Sequence, residues 1–215
     1  RALLAAGESE ARWQAGRPMG ALDGVPSTVK DLLHLAGFPT RRGSRTSEAT
    51  PMQEDAPAVM GLKQAGAVII GKTTTTEFGW KSPGDCPLHG ITRNPWNPKR
   101  TPGGSSSGAG AAGAACFGAL HIGTDAGGSI RIPAAYCGLV GMKPSFGRIP
   151  QWPLGAFGHV AVAGPMTRTV RDAALMFGAM AQHDLRDPYS LPDEPRNWLD
   201  GIEDGVRGMR VGSPP

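Results

Sequence analysis

The chain has 215 residues, enough for one ordinary domain, and its 40% apolar content can support a core. Gly 32 and Pro 20 are both high but recur at no short period, which excludes collagen-like and low-complexity chains. The net charge of +4 is scattered, and its densest groups, Arg41/Arg42 and Lys99/Arg100, are only pairs. A nucleic-acid binder should carry a basic stripe or patch, so this charge reads as a solvated surface. Cys86, Cys116 and Cys137 form no CxxC pair and are odd in number, which argues against a disulfide framework or a zinc site. Reduced thiols in the cytoplasm fit better. The stretch from Ala109 to Leu120 is too short and too weakly apolar to span a bilayer. The chain opens on Arg1 rather than Met, so we expect a segment upstream of it.

In chain order, residues 1–15 are Ala- and Glu-rich and predict a helix stopped by Gly16 and Pro18. Residues 25–30 predict a short strand after the turn signal Asp23-Gly24. Residues 54–65 predict a helix ending at Gly66, and residues 67–70 a buried strand. Residues 80–104 are punctuated by Pro, Gly and Asn and predict a loop. Residues 105–116 predict a Ser-capped helix whose small side chains suit close packing. A strand over 120–123, a Gly-rich turn over 124–129 and a strand over 138–142 follow. Residues 167–181 predict an amphipathic helix capped by Thr167. Residues 182–205 are polar and Pro-rich, as in a surface excursion, and a further strand is expected from Met209 to Gly212. The alternation of strands and helices predicts an α/β sheet.

Gly66 to Thr73 matches the P-loop expression letter for letter. The physics rejects it. Ala67-Val68-Ile69-Ile70 belongs in a strand, and a phosphate cradle would return about 1.5–3 kcal/mol of burial per large side chain to water.

Three other segments carry candidate chemistry. In Gly24-Val25-Pro26-Ser27-Thr28-Val29-Lys30-Asp31, a lysine ends an apolar strand. It is either an edge lysine with its head in water or a buried base. In Pro102-Gly103-Gly104-Ser105-Ser106-Ser107-Gly108, three hydroxyls lead into a helix, either as its cap or as catalytic groups. In Gly123-Thr124-Asp125-Ala126-Gly127-Gly128-Ser129-Ile130-Arg131-Ile132-Pro133, two glycines before a serine allow several N–H groups to converge. That suits an oxyanion hole beside an attacking hydroxyl, although an ordinary loop is an equal alternative.

Together these segments resemble the amidase signature family. Its Gly-Gly-Ser-Ser segment, its Gly-Thr-Asp-x-Gly-Gly-Ser-Ile-Arg-x-Pro segment and its Gly-x-x-Gly-x-Lys-Pro segment are all present, the last at residues 138–144. The Lys30–Ser105 and Ser105–Ser129 separations also agree with the family. The resemblance implies an amidase signature fold, a mixed β-sheet core flanked by helices. It implies one amidase signature domain over residues 1–215, cut short at both ends. It implies that Ser129 is the nucleophile, that Ser105 sits in a cis peptide and bridges nucleophile to base, and that Lys30 is the base. The N–H groups of Ala126, Gly127, Gly128 and Ser129 match the oxyanion hole. Ser106 is then a supporting or capping hydroxyl. Asp125 and Arg131 brace the loop, with Arg131 alternatively meeting an anionic substrate. No metal or organic cofactor is implied.

These residue types suit the chemistry. A serine hydroxyl is a weak nucleophile until a neighbour takes its proton. Lys30 can do so only when neutral, which at pH 7 needs roughly 4–5 kcal/mol of bias against the charged form. Burial can supply it. The five histidines form no triad with the serines, and Ser129 lacks the GxSxG context of a Ser-His-Asp hydrolase. The expected partner is a small amide substrate, with no nucleic acid or membrane, and a homodimer is left open. The alternative is the glutaminase subunit of a tRNA-dependent amidotransferase. That subunit carries Ser-Leu-Asp-Gln before Gly-Pro-Met-Thr, whereas this chain reads His159-Val160-Ala161-Val162-Ala163 before Gly164-Pro165-Met166. A third reading, an inactive chain, follows from the greater length of family members. Trp80, Trp152 and Phe157 suggest an apolar or aromatic acyl pocket or, equally, core packing.

Overall fold

The computed structural model describes residues 1–210 and 212. Helix α1 (Ala2–Gln14) leads to strand β1 (Pro26–Lys30), helix α2 (Pro57–Gln64) and strand β2 (Val68–Thr73). A small hairpin, β3 (Asp85–Cys86) with β4 (Gly90–Ile91), sits inside the expected long loop. Helix α3 (Ser107–Ala114), strand β5 (Leu120–Asp125), helix α4 (Arg131–Cys137), strands β6 (Val140–Gly141) and β7 (Val162–Thr167), and helix α5 (Val170–Met180) complete the order. The main sheet runs β2-β1-β5-β7-β6. Its β2, β1 and β5 are parallel, while β7 is antiparallel to both β5 and β6. This is the mixed sheet flanked by helices that the motifs imply.

Alternation along the strands sorts the core into two layers. Val29, Leu120 and Ile122 pack with Leu62, Met176 and Phe177, so α2 and α5 share one layer. A smaller cluster of Ala109, Ile130, Ala134 and Met166 joins α3 and α4 in the other. Helix α3 reaches its neighbours because it has almost no side chains to keep them away. A Cβ on Gly108 would lie 2.4 Å from Thr74 N. The start of β1 is fixed by Asp23, which accepts hydrogen bonds from Arg12 at 2.8 and 2.6 Å and from Met19 N at 2.8 Å. Those donors, with Arg12 foremost, hold its carboxyl well below the usual carboxylate range.

Several local expectations change. Thr167 does not cap α5: it belongs to β7, and Thr169 is the cap, accepting from Asp172 N at 3.0 Å. Strand β7 is wholly buried although it contains Gly164 and Pro165, residues that ordinarily argue against a central strand. A Cβ at Gly164 would stand 2.3 Å from Met142 O, so the glycine permits close passage. Helix α4 begins inside the third motif. Pro133 sits in its first turn, where no N–H donor is needed, and Gly138 ends it at φ 71°. The 182–205 excursion is tied to the core by Trp198, whose ring meets Phe177 edge-on at 4.7 Å. The expected strand from Met209 does not form at Met209 or Arg210, and Val211 lies outside the described residues. The P-loop look-alike is the turn that follows α2 and then β2, with Lys72 paired to Asp31 at 2.7 Å. Among the described residues no helix is long and apolar enough to cross a membrane.

Candidate active site

The C-terminal end of β1 delivers Lys30 into the interior, where its exposure is 0%. Its amine lies 2.7 Å from Ser105 Oγ, 2.9 Å from Ser106 Oγ and 2.9 Å from Thr124 Oγ1. Three hydroxyls therefore surround one amine, and among the described residues no carboxylate pairs with it. Burial drives its pKa well below that of an ordinary lysine, and the more distant charge of Asp125 opposes this only in part. Thr124 is the neighbour that motif reasoning passed over, although it lies inside the third motif.

The serine segment comes in through a cis peptide between Gly104 and Ser105. Ser105 O accepts from Thr76 N at 3.3 Å, while Ser106 N donates to Ser129 O at 3.2 Å. The bridge residue is thereby held between the 74–79 turn and the loop that carries Ser129. Ser106 makes no side-chain cap on α3. Its hydroxyl instead donates to Thr124 O and accepts from Thr124 N, both at 3.2 Å. Ser129 is half-buried, and its hydroxyl is hydrogen-bonded to neither Ser105 nor Lys30.

Asp125 organises the loop around Ser129. It is buried and accepts from Gly128 N at 2.7 Å, Ile130 N at 3.1 Å and Arg131 N at 3.3 Å. The Arg131 guanidinium adds a two-point contact at 2.9 and 3.0 Å. Burial alone would raise this carboxyl's pKa, but the Arg131 and backbone donors outweigh it and hold it below the ordinary value. Arg131 thus faces Asp125. Of the four N–H groups expected in the oxyanion hole, that of Gly128, a residue with φ of 116°, donates to Asp125. The N–H groups of Ala126, Gly127 and Ser129 have no partner among the described residues.

The aromatic residues divide. Trp152 lies edge-on to His34 and under Arg186, with the guanidinium carbon 5.1 Å from its ring. Trp80 and Phe157 stack on each other at 5.7 Å.

With this geometry in view, comparison with known proteins becomes specific. The Amidase family model matches residues 1–215. The chain belongs to the amidase signature family. Its sequence is 42% identical over 214 residues to the A subunit of glutamyl-tRNA(Gln) amidotransferase from Chloroflexus aurantiacus, covering 99% of this chain and 44% of that protein. It is 45% identical to the corresponding protein of Anaeromyxobacter sp. strain K, covering 100% of this chain and 44% of that protein. Among solved structures, peptide amidase from Stenotrophomonas maltophilia superimposes with TM-score 0.82 at 35% identity, covering 93% of this chain and 42% of that one. A bacterial aryl acylamidase of the same family gives TM-score 0.86 at 36% identity, covering 96% and 44%. The chain therefore spans less than half the length of the relatives it matches.

Proposed function

We propose that this amidase signature protein hydrolyses a carboxamide C–N bond through an acyl-enzyme on Ser129, with Ser105 relaying protons to and from Lys30. The observation that carries this reading is the fully buried Lys30 amine, 2.7 Å from Ser105 Oγ and paired with no carboxylate among the described residues. A neutral Lys30 accepts a proton from Ser105 across that contact. Ser105 in turn takes the proton of Ser129 as its oxygen attacks the carbonyl carbon. The N–H groups of Ala126, Gly127 and Ser129 stabilise the negative oxygen of the tetrahedral intermediate. The same relay run backward protonates the departing nitrogen, and ammonia or an amine leaves. Water, deprotonated by the relay, then cleaves the ester at Ser129 and restores the enzyme. Free thiols at Cys86, Cys116 and Cys137 support a cytoplasmic setting for this chemistry.

The second reading, a glutaminase component of an amidotransferase, is favoured by the 42% and 45% identities to the two amidotransferase proteins. Against it stands the lack of an Asp-Gln pair in residues 157–163, before Gly164-Pro165-Met166, where that component carries Ser-Leu-Asp-Gln. Ammonia release from glutamine and from simple apolar amides separates the two. Release from apolar amides, abolished by Ser129→Ala, supports the first reading. Release from glutamine alone supports the second, and release unchanged in Ser129→Ala contradicts both.

A further inference from the structure

Trp80 is 79% exposed yet stacks almost parallel to Phe157, with 16° between the ring planes. Its indole N–H has no acceptor within the chain among the described residues. The turn that presents it passes through two consecutive residues in the left-handed region, Phe78 at φ 50° and Gly79 at φ 74°. For phenylalanine this conformation is costly, of order 1–3 kcal/mol, and such strain concentrates where ligands are handled. The stack also borders the proposed relay. A single carbon added at Gly79 would lie 3.4 Å from Ser105 Oγ, 3.9 Å from Phe157 Cε2 and 2.8 Å from Leu32 Cδ1. The Gly79 turn is thus packed between Leu32, the Phe157 ring and the bridging hydroxyl, and only glycine fits there. An exposed apolar wall of this kind loses free energy in water and regains it when a flat apolar group covers it.

We propose that Trp80, Phe157 and Leu32 form the recognition wall for a planar aromatic substituent of the amide substrate, with Gly79 letting the turn bring this wall close to Ser105. This inference rests on the amidase reading and names its substrate class. The substituent can sit on the acyl side or the amine side of the scissile bond, and the test distinguishes them.

Values of kcat/KM are measured for 3-phenylpropionamide, propionanilide and propionamide with the purified protein and with Trp80→Ala, Phe157→Ala and Phe117→Ala. Phe117 is an exposed aromatic outside the site and serves as the control. The unaltered protein should favour an aromatic amide over propionamide by about tenfold or more, the scale of one good aromatic contact plus its burial. Trp80→Ala and Phe157→Ala should each remove most of that ratio, and Phe117→Ala should keep it. Preference for 3-phenylpropionamide places the ring on the acyl side, and preference for propionanilide on the amine side. A ratio unchanged in both site variants overturns the proposal. If none of the amides is turned over, the amidase reading fails instead. The wall is then tested by saturation-transfer NMR with 3-phenylpropionamide, where weaker binding in the two variants supports it and equal binding overturns it.

Discussion

A buried amine ringed by hydroxyls behaves differently from one ringed by carboxylates. Lys30 contacts Ser105, Ser106 and Thr124, none of which carries a charge to hold its proton. Burial lowers its pKa, so the folded chain binds fewer protons here than the unfolded chain does below about pH 10.4. Lys30 thus costs stability at neutral pH, and that cost shrinks as pH rises toward the unfolded value. Catalysis has the matching sign. The proposed base works only when neutral, so kcat/KM should rise with pH through the folded pKa of Lys30 and then level. Replacing the amine separates the two roles. Lys30→Met should lower amide turnover by at least about a hundredfold, as expected on losing a general base. Its thermal midpoint should equal or exceed that of the parent, because the desolvation cost is removed. A large drop in midpoint would show that Lys30 serves mainly to hold the fold. Motif spacing singled out Lys30, Ser105 and Ser129 as candidates, but hydrogen-bond direction was not legible there. The engagement of Gly128 N–H by Asp125 is a backbone detail that the letters Gly127-Gly128 leave open.

At the scale of elements, the position of the site depends on how closely α3 approaches β2 and β5. Gly108 N donates to Thr74 O at 2.9 Å, and no side chain fits between them. Gly108→Ala should destabilise the protein by about 1–3 kcal/mol, the usual cost of overpacking a tight contact. Chemical denaturation measures this, and an unchanged midpoint would mean that the contact can open freely. Pairing of β1 with β5 places His121 beside Thr28, whose Oγ1 lies 2.8 Å from Nδ1, while Nε2 is buried without a partner. Burial foremost lowers the His121 pKa to about 4. Below pH 6.5 the unfolded chain takes up a proton that the folded chain refuses. Stability should therefore fall as pH drops from 6.5 toward 4, by about 3 kcal/mol in total from this residue. His121→Gln should flatten that part of the stability profile, and an unchanged slope would assign it to other groups. Periodicity located α1, β1, α2, β2 and α3. It did not reach β7 and α4, which contain Pro165 and Pro133, residues that disfavour a central strand and a helix interior. Only the tertiary setting shows that one lies where the strand tolerates it and the other in a first helical turn.

At the scale of the molecule, the sheet and its two helical layers bring together segments far apart in the sequence. Lys30 comes from β1, Ser105 and Ser106 from the approach to α3, and Thr124, Asp125 and Ser129 from the end of β5 and the loop after it. The parallel run β2-β1-β5 places the C-terminal ends of these strands side by side, where open α/β sheets commonly hold their ligands. Family membership was legible from three short motifs because their residues meet at this one edge. The aromatic stack was only half legible, since Trp152 belongs with Arg186 and His34 while Trp80 and Phe157 stack on each other. The central claim is that Ser129 is the nucleophile of this assembly. The most direct measurement is peptide-mapped mass spectrometry after reaction with a serine-directed fluorophosphonate. The predicted result is a single covalent adduct on Ser129 that is lost in Ser129→Ala and greatly slowed in Lys30→Met. An adduct on another residue, or equal labelling of Ser129→Ala, would contradict the claim.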